Sequence, residues 1–157
     1  MAYSTPIQSK LRRSVACCLF VAGSDADGFS ATVDALIRQT YESWELVVAF
    51  VDTESPRAEL AECVFDDDRI AVAVIGNGES RTAFVHRCLR SMRSDYCLML
   101  AAGERLNPDA LAQFVTAMEQ DGEIGVVYAD EGRRKSENPS NELICKPDWD
   151  LWMFRSV

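Results

Sequence analysis

Three places in the 157-residue sequence combine residue types able to do chemistry. Gly23-Ser24-Asp25-Ala26-Asp27-Gly28 joins small residues to carboxylates, but it lacks the glycine spacings and the Lys-Ser/Thr end of the common phosphate-binding fingerprints. As a calcium loop it puts Asp25, Asp27, Gly28 and Asp34 at the third, fifth, sixth and twelfth positions. Gly23 stands at the first, however, and the twelfth calls for a bidentate glutamate. His86 is the only histidine, so any Ser-His-Asp or Cys-His arrangement must pass through it. It sits beside an apolar stripe, where a packed or half-exposed imidazole is the simpler reading. Arg81, Arg87, Arg90 and Arg93 follow the same helical stretch. Their default role is a solvated face, with part of them able to meet an anionic ligand.

The elements that position these residues alternate along the chain. Ser14–Val21 is a continuous apolar run that reads as a buried strand and leads into the Gly- and Asp-rich loop 23–28. A helix is expected over 29–39, because Phe29, Val33, Leu36 and Ile37 share a face. Trp44–Val51 makes a second strand, Pro56 opens a short helix, and Ile70–Ile75 makes a third strand. Ser80 caps a helix with Phe84, Val85, Cys88, Leu89 and Met92 inside, and Tyr96–Leu100 is the fourth strand. Asn107-Pro108-Asp109 reads as a cap, first-turn proline and first-turn acid, ahead of a stripe of Leu111, Phe114, Val115 and Met118. Ile124–Ala129 reads as a fifth strand. Apolar strands separated by amphipathic helices imply β-α-β units, hence an α/β class, three-layer α/β/α sandwich on a mostly parallel sheet. In such sheets ligands sit beyond the carboxyl ends of the strands, where strand order reverses. With the first strand central and the fourth beside it, loops 23–28 and 101–106 line that crevice, and the second strand adds 52–55.

Composition narrows the function. Sixteen Lys and Arg against 25 Asp and Glu give a formal charge of −9, which repels nucleic acid as a partner. No apolar run approaches the roughly 18–20 residues of a membrane span. Lys10, Arg12 and Arg13 before the run 15–22 imitate a secretion signal, but its β-branched and aromatic content suits a buried strand. Cys17, Cys18, Cys63, Cys88, Cys97 and Cys145 include no C-x-x-C pair, and four lie in apolar segments where a thiol packs as a small hydrophobe. A reduced, cytoplasmic protein is expected. Residues 1–13 read as a tail before one domain over 14–157.

Six stretches in order carry a family resemblance. Gln39-Thr40-Tyr41-Glu42-Ser43-Trp44-Glu45-Leu46 resembles the "Q-T-Y-x-x-W-E-L" segment of family 2 glycosyltransferases. Arg69-Ile70-Ala71-Val72 is similar to their next strand, and Asp95-Tyr96-Cys97-Leu98-Met99-Leu100 to the strand before their metal motif. Leu106-Asn107-Pro108-Asp109-Ala110-Leu111 resembles "L-x-P-D-A-L", Tyr128-Ala129-Asp130-Glu131 resembles "Y-x-D-E", and Lys146-Pro147-Asp148-Trp149 resembles "K-P-D-W". The resemblance covers nearly the whole chain from Val15.

It implies a glycosyltransferase A-type, Rossmann-like fold, a nucleotide-sugar donor, a divalent metal (magnesium or manganese) on its diphosphate, and transfer to a growing surface glycan or similar acceptor. Carried onto this sequence, the donor site falls at Ala22 and Gly23 of the "P-T-Y-N" position, at Asp52, two places later than an ungapped alignment puts the Asp of "V-D-D-G-S", at His86 in place of an asparagine, and at Ala102 and Gly103. Arg81, Asp130 and Glu131 join them, and Arg105 or Arg81 could clamp the diphosphate as a cation. The metal motif "L-D-x-D-D" corresponds to Leu100-Ala101-Ala102-Gly103-Glu104, so Glu104 is the acid left to hold metal. Family members run well past "K-P-D-W" into an acceptor half that supplies the catalytic base, which leaves the base unassigned here. Trp149, Trp152, Met153 and Phe154 form an apolar cluster suited to docking on that half or on a partner protein. A peripheral position at the inner membrane face, and a non-catalytic scaffold role, are the further expectations.

Overall fold

The computed structural model describes residues 13–22, 26–51, 67–75, 78–135 and 138–146. Gly23, Asp52, the helix expected after Pro56, Cys63, and the aromatic residues Trp149, Trp152 and Phe154 lie outside them. The chain divides into two compact units, Met1–Val115 and Thr116–Val157.

The first unit holds β1 (Val15–Ala22), α1 (Ala26–Ile37), β2 (Trp44–Val51), β3 (Ile70–Val74), α2 (Arg81–Ser91), β4 (Tyr96–Ala101) and the start of α3 (Ala110–Gln120). All four strands are parallel, in the order β3-β2-β1-β4. The register sets Val15 beside Trp44 and Tyr96, so alternate residues of the three strands share a face.

Each face is covered by helix, which is why β1 is apolar throughout instead of alternating. On one side Val15, Cys17, Leu19 and Val21 pack with Trp44, Leu46, Val48 and Phe50 beneath Phe29, Val33 and Leu36 of α1 and Leu111 and Val115 of α3. On the other, the small residues Ala16, Cys18 and Ala49, with Val47, admit Phe84 and Cys88 of α2 and Met92 at its C-terminal cap. The expected three-layer α/β sandwich is therefore present.

The most specific stretch of the sequence turns out to build this frame. Gln39 is buried after α1, and its amide donates to Ala35 O (3.1 Å) and Asn107 O (2.7 Å). Its oxygen accepts the Leu111 N–H at 3.0 Å, satisfying one of the free amides in the first turn of α3. Arg69 lies 3.9 Å over the Trp44 ring and is held there by a two-pronged bond to Asp67.

Three boundaries depart from the sequence reading. Helix α1 begins at Ala26, three residues before Phe29, so Ala26, Asp27 and Gly28 are helix and not loop; Asp27 complements the positive end of the helix dipole. Helix α3 begins at Ala110, so Pro108 and Asp109 form a turn before it and the Asn107 carbonyl accepts the Ala110 N–H at 3.0 Å. The third departure is larger. Residues 124–130 form no regular element, and the fifth strand, β5, is Glu131–Lys135, paired antiparallel with β6 (Asn138–Ile144) in a separate two-stranded sheet. The apolar run 124–129 leaves Val126 61% and Tyr128 39% exposed. The hairpin is closed instead by acids: Asp130 accepts the Lys146 N–H at 2.8 Å and Glu131 pairs with the Lys146 ammonium.

Candidate functional site

Strand order reverses at β1, which has β2 on one side and β4 on the other. That is the switch point at which open parallel sheets bind ligands, beyond the carboxyl ends of the strands. Ala22 ends β1, and the register sets Phe20 beside Ala101 at the end of β4. The structure thus brings together Ala22, Ala102, Gly103 and Glu104.

The turn after β4 is closed by its own residues. Glu104 N–H donates to Ala101 O (3.1 Å), and Glu104 Oε2 accepts the Ala101 N–H (2.9 Å). Between them Gly103 has φ +93°, a left-handed conformation that glycine takes without strain. Ala102 N–H continues the sheet ladder to Phe20 O (3.2 Å), and Gly103 N–H bonds to Gly28 O (2.9 Å) and Thr32 Oγ1 (3.0 Å). Thr32, 1% exposed on the inner face of α1, also donates to Gly28 O at 3.1 Å. Sequence reasoning missed Thr32. Its signal was a hydroxyl within the apolar spacing of Phe29, Val33 and Leu36.

Arg81 opens α2, and its exposed guanidinium lies 6.0 Å from the ring of Phe20, near the end of β1. Phe20 is itself fixed edge-on against Phe84, with centroids 6.1 Å apart. Arg105 is exposed just past the β4 turn. His86 is exposed on α2, and five residues from Arg81 is about 140° around a helix and about 7.5 Å along it. Asp130 and Glu131 lie in the second unit, where both engage Lys146.

Two other candidate chemistries fall away from the crevice. Cys17, Cys18 and Cys88 are buried, and burial pushes the Cys17 thiol up to about 12, which disqualifies it as a nucleophile. Cys97 is exposed, and the neighbouring Cys18 thiol, acting as a hydrogen-bond donor, holds it below its ordinary value. Its position opposite Ala16 sets it on the second face of the sheet, well before the strand ends.

Among the described residues no three His, Cys, Asp or Glu side chains lie close enough to hold a metal ion. Glu104 is the only acid in the β4 turn, with Ala101, Ala102 and Gly103 supplying no ligand side chain. Divalent cations on a diphosphate are held by one or two carboxylates together with the phosphates and water, and the one carboxylate of this turn is already engaged with the Ala101 N–H, so the described residues are a poor fit for such a cation.

Comparison with known proteins agrees with the fold. The O-antigen biosynthesis protein RfbC of Myxococcus xanthus is 28% identical over 123 residues, which cover 76% of this chain and 10% of RfbC. The crystal structure of S. aureus TarS 1-349 superposes with a TM-score of 0.53 at 12% identity, covering 66% of this chain and 32% of that one. The same protein in complex with UDP gives 0.52 at the same identity and coverage. The chain therefore spans about a tenth of RfbC and a third of that TarS chain, and the likeness to TarS shows the fold. Residues 21–154 match Glycosyl transferase family 2, and the chain belongs to that family.

Proposed function

We propose that this domain holds the nucleotide-sugar donor of a glycosyl transfer whose acceptor is a hydroxyl of a surface polysaccharide. The observation that carries the reading is the β1/β4 switch point, lined by Ala22, Ala102 and Gly103 with Arg81 at its rim. In the transfer the acceptor oxygen bonds to the anomeric carbon while the bond from that carbon to the diphosphate oxygen breaks. The electron pair leaves with the diphosphate, and the hydroxyl proton passes to a base. Negative charge grows on the leaving group, so a preorganised cation beside it lowers the barrier. Arg81 suits that task, because the positive end of the α2 dipole reinforces its guanidinium. The name of RfbC supports a polysaccharide acceptor, and the UDP complex of TarS makes uridine diphosphate the first nucleotide to try.

Calorimetric titration of the purified chain with UDP, GDP and dTDP tests the reading. One of them is expected to bind, and Arg81→Ala is expected to weaken that binding about tenfold, the worth of one charge-assisted contact. Absence of binding by all three at millimolar concentration would overturn it. The family's scaffold alternative would then lead, with Trp149, Trp152 and Phe154 as the residues to test for a partner.

A further inference from the structure

The Ala101–Glu104 turn has committed every one of its amides. Ala101 N–H goes to Glu104 Oε2, Ala102 N–H to Phe20 O, Gly103 N–H to Gly28 O and Thr32 Oγ1, and Glu104 N–H to Ala101 O. No amide is left over to receive a phosphate oxygen. Glu104 and Ala101 bond to each other in both directions, main chain to main chain and side chain to main chain. This reciprocal closure resembles that of a capping box, where a side chain satisfies an otherwise orphaned donor. The carboxylate that would have been the metal ligand is thus tied into the backbone, and no second acid stands in the turn.

We infer that Glu104 is a positioning residue that shapes the β4 wall of the donor crevice, and that this chain takes its nucleotide diphosphate without a divalent metal. The inference rests on the donor-binding reading for its second half only. Among the described residues metal independence follows from the ligand count: a single carboxylate, already accepting the Ala101 N–H, falls short of the one or two free carboxylates that hold such a cation on a substrate's phosphates. The positioning role follows from the acceptor, because any side chain that presents an oxygen at that point closes the turn, charged or not.

The charge and the acceptor separate in two variants of the whole chain. Glu104→Gln keeps an oxygen for the Ala101 N–H and discards the charge; Glu104→Ala discards both. Three measurements are made on each: thermal unfolding, manganese binding to the free protein by loss of its solution paramagnetic resonance signal, and nucleotide binding with manganese or with EDTA. The expected results are a Glu104→Gln Tm within about 1 °C of the parent and a Glu104→Ala Tm about 3 °C lower, the worth of one hydrogen bond in a chain of this size. The manganese signal should be undiminished in all three proteins. The nucleotide Kd should agree within about twofold with and without metal, and be weakened severalfold only in Glu104→Ala. Manganese binding to the parent that Glu104→Gln abolishes would overturn the inference, as would a tenfold tightening of nucleotide by manganese. Equal destabilisation by both variants would overturn the positioning role. If no nucleotide binds, the donor-binding reading fails alone, because unfolding and manganese binding still decide what Glu104 does.

Discussion

At the scale of single residues, Gln39 shows how a side chain far from any chemistry sets the site. Its carboxamide joins the end of α1, the Asn107 carbonyl and the first turn of α3 through bonds of 3.1, 2.7 and 3.0 Å. Removing it leaves the Leu111 N–H and the Asn107 carbonyl without these partners, and a buried group that loses its partner costs more than the bond was worth. Gln39→Ala is therefore expected to lower stability by about 2–3 kcal/mol. The urea midpoint should fall with the slope of the transition unchanged. A midpoint within experimental error of the parent would show that water replaces the carboxamide at no cost. The sequence marked Gln39 only by family resemblance. What it does could not be read there, because its partners lie four, 68 and 72 positions away.

At the scale of elements, legibility follows how local the deciding interaction is. The parallel sheet was readable because continuous apolar runs are what two covered faces demand, and α2 was readable because Ser80 is its cap, accepting the Ala83 N–H at 3.2 Å. The start of α3 was not readable, since the Leu111 amide is capped by the side chain of Gln39, 72 positions away, while Asn107 gives the Ala110 N–H only its carbonyl. The hairpin of β5 and β6 was missed because the apolar run before it outweighed the charged strand that in fact pairs. At the site, the crevice was readable from strand order, but the closed β4 turn depends on Gly28 and Thr32 of α1 and is invisible in local sequence. Helix α2 offers a direct test of these layers. It covers its face of the sheet through Phe84, Cys88 and the cap residue Met92, so Phe84→Ala should cost about 3–5 kcal/mol, a large share of the roughly 5–15 kcal/mol that holds a domain together. His86→Ala, two positions on and exposed, should stay within about 0.5 kcal/mol. Urea midpoints of the two variants check both, and comparable losses would mean that His86 packs after all.

For the whole molecule, two electrostatic tendencies oppose each other as pH falls. The net charge of −9 repels itself at neutral pH, so approach to the isoelectric point near 4.6 relieves strain on the compact state. Specific pairs pull the other way. Asp95 accepts the Ser14 N–H at 2.9 Å and an Arg13 N–H at 2.7 Å, and these bonds hold its carboxyl below the usual carboxylate range. Arg69 does the same to Asp67. A carboxyl whose folded pKa is depressed contributes stability that is complete above its unfolded pKa of about 3.9 and is lost as pH falls through the folded value. Both carboxylates are part-exposed, at 34% and 22%, so each contribution is modest and falls with salt. Self-repulsion among exposed charges is screened over about 8 Å at physiological ionic strength, whereas the paired groups are in contact. Contact therefore decides the acid limb. The urea midpoint is expected to be level from about pH 7 to 5 and to drop below about pH 4, and Asp95→Asn should lower the neutral midpoint while flattening that drop. A midpoint unchanged through pH 4, or an acid limb of the same slope in Asp95→Asn, would show instead that the chain's overall charge governs its stability.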